Sequence, residues 1–243
     1  MFGAALDSLG ALLGPRLVLR SVTETDSTNS DLLEASRLDP RPQLLVAEHQ
    51  RAGRGRLGRS WSSRAGDSLT FSLAWPVSAP LAGLSLAVGS CLADSLDPEG
   101  RALQLKWPND LWHQQRKLGG ILIETAAQGV VVVGVGLNLG APAVDQPSAG
   151  LLELDSRWSA PLALQTVLPP LVELLSAWRG FDAARQRAFA ARDGLLGRRL
   201  QAGAHEGVAA GVDRDGALCL RRADGSLQRV VAGELRLLEG SSS

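Results

Sequence analysis

The chain has 243 residues, 45% of them hydrophobic, and its 25 basic side chains are balanced by 25 acidic ones. This length and composition suit one large domain with a smaller one, each able to bury a core. A formal charge of zero excludes a general attraction to nucleic acid or to an anionic membrane, so electrostatic binding must be local. Cys91 and Cys219 fit neither a disulfide nor a metal pattern. With no basic signal sequence and no apolar run of about 20 residues, we expect a cytoplasmic protein.

Lysine and asparagine are among the residue types that are unusually rare in this chain. Only Lys106 and Lys117 are lysines among the 25 basic residues, and the three asparagines are Asn29, Asn109 and Asn138. Lysine carries a compact charge and arginine a planar fork, so a site shaped for one rejects the other. The two lysines and three asparagines are therefore candidate functional residues.

The predicted elements of the first half alternate between helices and strands. A helix is expected to start at the polar residues 26–29 and to end at Asp39. Strands are predicted for residues 43–50 and for the alternating segment 68–75, with a Gly/Arg loop between them. Apolar residues at helical spacing from Leu81 to Leu96 predict a buried helix.

Three more strands and a helical region complete the predicted larger domain. The strands are expected within residues 102–108, 117–126 and 129–139. Helical segments are expected from residue 161 to about residue 193, interrupted at Pro169-Pro170 because proline removes a helix hydrogen bond.

Short strands dominate the sequence after Gly194. They are separated by Asp215-Gly216 and Asp224-Gly225, dipeptides favoured in hairpin turns whose two central residues both have positive φ. About fifty residues of this kind predict a small β-barrel. The fold class is therefore α+β, with a mixed, helix-packed β-sheet in residues 1–194 and a barrel in residues 195–243.

The Gly/Arg loop contains the sharpest local motif, GRGRLGR at residues 53–59. Its G-x-G-x-x-G spacing matches the fingerprint of a Rossmann nucleotide-binding turn. In a Rossmann site the glycine-rich turn leads into a helix, whereas here a strand follows. Three arginines, Arg54, Arg56 and Arg59, instead indicate a mobile lid that a polyanion such as ATP would order and that would exclude water. A solvated basic loop is the remaining alternative.

Both lysines lie in the second motif region. Lys106 begins KWPND, where a plain strand-end charge is the alternative to a functional role. Lys117 opens a strand beside Gly119 and Gly120, which allow a ligand to approach the backbone closely. An ammonium at that position can neutralise a carboxylate and a phosphate together.

Two polar segments complete the candidate site. Residues 27–29 either cap a helix or bind a small neutral polar group. Asn138, at the end of a Val-rich strand, either caps a turn or faces a nucleotide. The histidines His49, His113 and His205 are scattered and predict neither a metal centre nor a catalytic set.

In their order and spacing these motifs resemble the biotin protein ligase family across residues 20–140. They are DSTN (26–29), AEHQRAGRGRLGRSW (47–61), LKWPNDL (105–111), KLGGILIE (117–124) and GVGLNLG (134–140). The resemblance implies a class II synthetase-like catalytic domain in residues 1–194 and an SH3-like barrel in residues 195–243.

The resemblance also implies roles for individual residues. Three are implied to be catalytic: Lys117, Arg56 and Asp110. The implied biotin contacts are Ser27, Thr28, Asn29, Gln50, Arg54, Gly55, Arg56, Lys117 and Gly119. The implied ATP and adenylate contacts are Arg56, Arg59, Trp61, Lys106, Asn109 and Asn138. No metal-ligating protein residue is predicted.

The implied activity is adenylation of biotin by ATP with Mg²⁺, followed by transfer of biotin to a lysine of a biotin carboxyl carrier protein. Some relatives carry an N-terminal DNA-binding domain, but only 25 residues precede DSTN here, which predicts the monofunctional class. We expect no nucleic-acid or membrane partner, and either a monomer or a homodimer. The alternatives are a lipoate ligase, which should lack the GRGRxGR and WPND motifs, and a non-enzymatic biotin-responsive regulator.

Overall fold

The computed structural model describes residues 1–238 as two β-sheets and five helices. The larger sheet contains β1 (Val18–Thr25), β2 (Gln43–Gln50), β3 (Ser68–Pro76), β4 (Leu103–Lys106), β5 (Asp110–His113), β6 (Arg116–Thr125) and β7 (Val130–Asn138). The smaller sheet contains β8 (Arg199–Ala202), β9 (His205–Val212), β10 (Leu218–Arg221), β11 (Leu227–Val230) and β12 (Leu235–Leu237). The helices are α1 (Gly3–Leu13), α2 (Thr28–Leu38), α3 (Leu84–Leu96), α4 (Ala160–Ser176) and α5 (Ala183–Ala190).

The strand order of the larger sheet is β1-β2-β3-β7-β6-β5-β4. Only β1 and β2 run parallel, and the other neighbours are antiparallel. This arrangement confirms the expected α+β class with a mixed sheet. Within residues 1–238, none of the helices is long and apolar enough to span a bilayer.

Both faces of the larger sheet are covered, which explains the burial of β3. Leu69, Phe71 and Leu73 belong to the main core, whereas Ala74 packs in a second cluster with Leu32 of α2. Helix α4 contacts β3 as well as α3. Residues 68–74 of β3 are consequently all buried, because helices lie on both sides of the strand.

Helix α4 continues through Pro169 and Pro170, so the expected interruption was wrong. The buried residues Val167, Leu168 and Leu171 flank the two prolines and anchor the helix to the core. Apolar burial around the prolines thus outweighs the hydrogen bonds that they remove. Helix α3 begins at Leu84, three residues after the expected start.

Strand β5 was not predicted. It is joined to β4 by a turn at residues 107–109, which contains a cis Trp107-Pro108 peptide bond. It is joined to β6 by Gln114 and Gln115, whose φ angles of 48° and 62° form a two-residue hairpin turn. Glutamine is not favoured in that conformation, so composition did not signal the turn.

The C-terminal strands form an antiparallel sheet in the order β11-β10-β9-β8-β12, and the described pairings leave β11 and β12 at its edges. Gly216 and Gly225 have positive φ, but the preceding aspartates do not, so the expected turn geometry was wrong. The sheet is attached to the larger one by the buried Trp107, whose Nε1 donates to the Gly216 carbonyl at 2.9 Å.

Candidate active-site cleft

A cleft of about 950 Å³ opens where the Gly/Arg loop, the β4–β5 turn, β6, β7 and residues 142–148 meet. Residues 233–235 of the C-terminal sheet close one side of it. All but one of the predicted site residues line this cleft: Ser27, Thr28, Asn29, Gln50, Arg54, Gly55, Arg56, Arg59, Trp61, Lys106, Asn109, Asp110, Lys117 and Asn138. The exception is Gly119.

Part of the cleft is formed by a buried, hydrogen-bonded set that we call the polar floor: Thr28, Asn29 and Gln50, which line the cleft, and their partner Ser72. The backbone and hydroxyl of Thr28 donate to Gln50 Oε1 at 2.8 and 3.0 Å, and its hydroxyl lies 2.7 Å from that of Ser72. Ser72 donates to Asn29 Oδ1 at 2.5 Å. Ser27 caps α2 by accepting from the Ser30 amide, so the capping interpretation of residues 27–29 holds for Ser27. Uncharged polar groups that are held in place by hydrogen bonds to one another are suited to bind a neutral polar group of a ligand.

The glycines of β7 allow two side chains to lie directly on the strand. A Cβ atom on Gly134 would be 2.2 Å from Asn29 Oδ1, and one on Gly136 would be 2.3 Å from the Trp61 indole. Glycine within a strand often marks such a close approach. The GVG segment therefore positions Asn29 and Trp61 at the cleft.

The middle of the cleft holds an ion pair between Lys117 and Asp110. Lys117 Nζ lies 2.9 Å from Asp110 Oδ1, and both side chains are less than one-fifth exposed. A β-bulge places two residues, Lys117 and Leu118, opposite one residue of β5, which turns Lys117 to the same face as Gly120. Gly119 consequently faces β7, where a Cβ would meet the Gly136 carbonyl oxygen at 2.7 Å. The glycine beside Lys117 in the cleft is Gly120, not Gly119.

The backbone of Lys117 is fixed by a segment that sequence reasoning missed. Its amide donates to the Pro147 carbonyl and its carbonyl accepts from the Ala149 amide, each at 2.9 Å. The side-chain amide of Asn138 donates to the carbonyls of Lys117 and Ala149 at 3.2 and 3.0 Å. Asn138 thus fixes the start of β6, and Asn109 similarly donates to the Ile121 carbonyl at 2.9 Å.

Four cations near the cleft form what we call the cationic rim: Arg56, Arg59, Lys106 and Lys117. The pKa of the Lys106 ammonium is lowered, chiefly by burial; Asp110 opposes this effect and Lys117 adds to it. Burial also lowers the pKa of the Arg56 guanidinium, although an arginine remains charged at neutral pH. A concentration of positive charge in a partly buried cleft favours binding of an anion.

The Gly/Arg loop is a small hairpin. The Gly55 amide donates to the Arg59 carbonyl at 2.7 Å, and the Trp61 amide donates to the Gly53 carbonyl at 2.8 Å. Only a single 3-10 turn, Arg56–Gly58, follows the first glycines, so the helix that a Rossmann site requires is not formed there.

The arginines of this loop differ in their counter-charges. Arg54 pairs with Glu124 at 2.6 Å, and Arg59 pairs with Glu234 of the C-terminal part. Two of the three arginines therefore have a counter-charge without a ligand. Of Arg54, Arg56 and Arg59, only Arg56 has no carboxylate within 4 Å in residues 1–238, so it is the one best placed to bind an incoming anion.

Ser72, Glu124, residues 142–148 and Glu234 were missed as parts of the site. Ser72 and Glu124 lie on predicted strands. A polar residue in a mainly apolar strand was the signal in the sequence that could have pointed to them. Residues 142–148 and Glu234 carry no motif, and their positions depend on long-range packing.

Residues 1–238 contain no group of three or more His, Cys, Asp or Glu side chains that could hold a metal. His49 Nδ1 and His113 Nδ1 lie within 3.0 Å of backbone carbonyl oxygens, at Ser63 and Ala102. Burial raises the pKa of the Cys91 thiol to about 12, so it is not an activated nucleophile. The chemistry of the cleft therefore depends on its cations, its carboxylates and its polar floor.

Comparison with known proteins identifies the same segments. The biotin/lipoate A/B protein ligase family matches residues 19–140, and the biotin protein ligase C terminal domain matches residues 199–236. A biotin–[acetyl-CoA-carboxylase] ligase of Mycobacterium tuberculosis is 38% identical over 82% of this chain and 81% of its own length. The bifunctional ligase/repressor BirA of Escherichia coli (strain K12) is 34% identical over 94% of this chain and 76% of its own length.

A solved structure shows the same architecture. The biotin protein ligase from Aquifex aeolicus in complex with biotin and ATP superposes with a TM-score of 0.77 and 26% identity. The match covers 92% of this chain and 99% of that one. The agreement of fold, motif order and both matched domains leads to one conclusion: the chain belongs to the biotin protein ligase family.

Proposed function

We propose that this cleft activates biotin with ATP and transfers the biotinyl group to a lysine of a biotin carboxyl carrier protein. The observation that carries the proposal is that one cleft contains both an uncharged polar floor and a cationic rim that includes Lys117. Biotin has a neutral ureido ring at one end and a carboxylate at the other, and ATP is a polyanion. The cleft offers a complementary surface to each of these groups.

In the first step, a carboxylate oxygen of biotin attacks the α-phosphorus of ATP, and the bond from that phosphorus to the pyrophosphate oxygen breaks. The products are biotinyl-5'-adenylate and pyrophosphate. Two anions must meet, so cations fixed where negative charge develops lower the barrier. Lys117 and Arg56 are our candidates for this role, because Lys117 is held by its backbone contacts and Arg56 has no carboxylate partner of its own in residues 1–238.

In the second step, the neutral amine of the carrier lysine attacks the acyl carbon of the adenylate. The acyl–phosphate bond breaks, AMP leaves, and the amine loses a proton as the amide forms. Mixed anhydrides are sensitive to water, so a loop that covers the cleft protects the intermediate. We assign this covering role to the hairpin at residues 53–61, because its residues 54–61 line the cleft.

We assign the floor residues Thr28, Asn29 and Gln50, with Ser27, to the ureido ring. Arg54, Gly55, Arg56 and Lys117 would surround the carboxylate end, with Gly120 in the place first given to Gly119. The nucleotide side would contain Arg56, Arg59, Trp61, Lys106, Asn109 and Asn138, all of which line the cleft.

Mg²⁺ would arrive with ATP as part of the substrate. This ion binds mainly phosphate and water oxygens and needs only one or two protein carboxylates. Asp110 and Asp145 present carboxylates along the cleft, which fits that requirement. Asp110 also holds Lys117, so we propose that it positions the ammonium and contacts the metal-bound nucleotide.

We further propose that the boundary near residue 194 separates a catalytic domain from an SH3-like domain. Arg59 of the loop pairs with Glu234, so the smaller domain contributes to one wall of the cleft. A cytoplasmic location and a carrier-protein partner complete the proposal.

Pyrophosphate release measured with ATP plus biotin, and separately with ATP plus lipoate, tests this function. We expect release with biotin and at least about a hundredfold less with lipoate, because the polar floor can exchange hydrogen bonds with a ureido ring but not with an apolar dithiolane ring. Equal or faster release with lipoate would assign the cleft to lipoylation instead.

A further inference from the structure

We infer that Glu124 is a positioning residue that couples the Gly/Arg loop to the polar floor; this inference rests on the proposed function. Glu124 lies near the end of β6 and its side chain is one-quarter exposed. Its Oε2 atom accepts from Asn29 Nδ2 at 2.9 Å and from Arg54 at 2.6 Å. One carboxylate oxygen therefore holds a floor residue and a loop residue at the same time.

The contacts form a closed ring. From Glu124 the hydrogen bonds run through Asn29, Ser72 and Thr28 to Gln50. Gln50 Nε2 lies 2.8 Å from the position that a Cβ atom of Gly53 would occupy, so the base of the loop packs directly on this amide. Since residue 53 is bonded to residue 54, the chain itself completes the ring through Arg54.

Glu124 also orients the Asn29 amide, together with the Leu122 carbonyl, which accepts from Asn29 Nδ2 at the longer distance of 3.3 Å. A carboxylate only accepts hydrogen bonds, so the nitrogen of Asn29 must face Glu124, and its oxygen must face Ser72. Ser72 then donates its one hydroxyl hydrogen to Asn29, so the Thr28 hydroxyl has to donate to Ser72. Gln50 Oε1 is then held by the Thr28 backbone amide. A charge-assisted bond at Glu124 thus sets the direction of the hydrogen bonds along the whole floor.

The consequence is reciprocal coupling. A ligand that orders the floor strengthens the hold of Glu124 on Arg54, and an ordered loop in turn favours the floor geometry that binds the ligand. The same ion pair holds the loop before any ligand arrives, because it gives Arg54 its counter-charge.

The first test compares Glu124→Gln with wild type by amide hydrogen exchange without ligand. We expect exchange at Gly55, Arg59 and Trp61, whose amides are bonded within or next to the loop hairpin, to accelerate about tenfold or more in the variant. Glu34→Gln is the matched control, because Glu34 is exposed on α2 and pairs only with Arg37 among the described residues. Unchanged exchange in Glu124→Gln, with an unchanged melting temperature, would overturn the inference.

The second test is a mutant cycle on biotin affinity, measured by calorimetry. Arg54→Leu and Ser72→Ala alter side chains that make no hydrogen bond to each other, so any coupling between them must be transmitted. We expect about fivefold coupling in the wild-type background and none in the Glu124→Gln background. Coupling that persists without Glu124, or that is absent from the start, would contradict the inference. Failure of wild type to bind biotin would refute the proposed function instead, and the ligand-free exchange test would still decide the role of Glu124.

Discussion

Removal of the Lys117 ammonium is the perturbation whose effect the structure defines best. Lys117→Ala removes the cation proposed to meet the biotin carboxylate and the α-phosphate. It also leaves Asp110, which is only 16% exposed and lies 2.9 Å from Lys117 Nζ, without its partner. The variant therefore loses an attraction and gains a repulsion at the same point.

The loss of one preorganised charged contact in a partly dry site raises the barrier by about 3–4 kcal/mol. That corresponds to a fall in the adenylation rate of about 10²–10³-fold. Lys117→Arg should also be slow, because a planar fork does not fit a site built for a compact charge.

The assay is pyrophosphate release at saturating biotin and ATP, with the melting temperature as a check of folding. Transfer from synthetic biotinyl-5'-adenylate serves as the control, and it should decline much less because the first step is bypassed. Adenylation by Lys117→Ala within about fivefold of wild type would refute the reasoning.

Three further predictions follow from the packing and the charges. Gly134→Ala places a Cβ 2.2 Å from Asn29 Oδ1 and should raise KM for biotin at least about tenfold. Gly10→Ala in α1 is the control, because the nearest atom to its Cβ is 3.7 Å away, and its KM should be unchanged; equal KM values for the two variants would contradict this. Burial lowers the pKa of Lys106 and a bound phosphate would raise it again, so ATP binding on the alkaline side of neutrality should take up a proton. Calorimetry in two buffers of different ionisation enthalpy measures this uptake, which should be smaller in Lys106→Arg than in wild type. Trp107→Phe removes the bond to the C-terminal sheet and should lower the free energy of unfolding by about 1–3 kcal/mol in urea titration, so an unchanged midpoint would exclude that role.

The elements that sequence predicted well are those whose signals are local. The cap at Ser27 and the strands β2, β6 and β7 follow from capping chemistry and apolar runs. The functional motifs were also identifiable, because rare lysines and asparagines coincided with glycines and with family-typical spacing. The structure brings all but one of the predicted site residues to a single cleft.

The errors arise where geometry depends on partners far away in the chain. The bulge at Leu118 cannot be read from KLGG, yet it decides that Gly120 and not Gly119 faces the cleft. The pairing of Arg59 with Glu234 joins residues 175 positions apart. Such contacts depend on how the two sheets pack, and no local pattern encodes that arrangement.

The same limit explains why helix α4 and the Gly/Arg loop were misjudged. Pro169 and Pro170 predict a break when only local hydrogen bonding is considered, but the buried neighbours on α4 hold the helix together. The loop arginines predict mutual repulsion when considered alone, but Glu124 and Glu234 arrive from other elements to neutralise two of them.

The most direct test of the central claim is the mass of a biotin carboxyl carrier domain after incubation with this protein, biotin and ATP. Intact-mass spectrometry should show one added biotinyl group on the wild-type carrier. It should show none on a carrier whose acceptor lysine is replaced by arginine, and none when ATP is omitted. An unmodified carrier in the complete reaction, under conditions in which a known biotin protein ligase modifies it fully, would contradict the account.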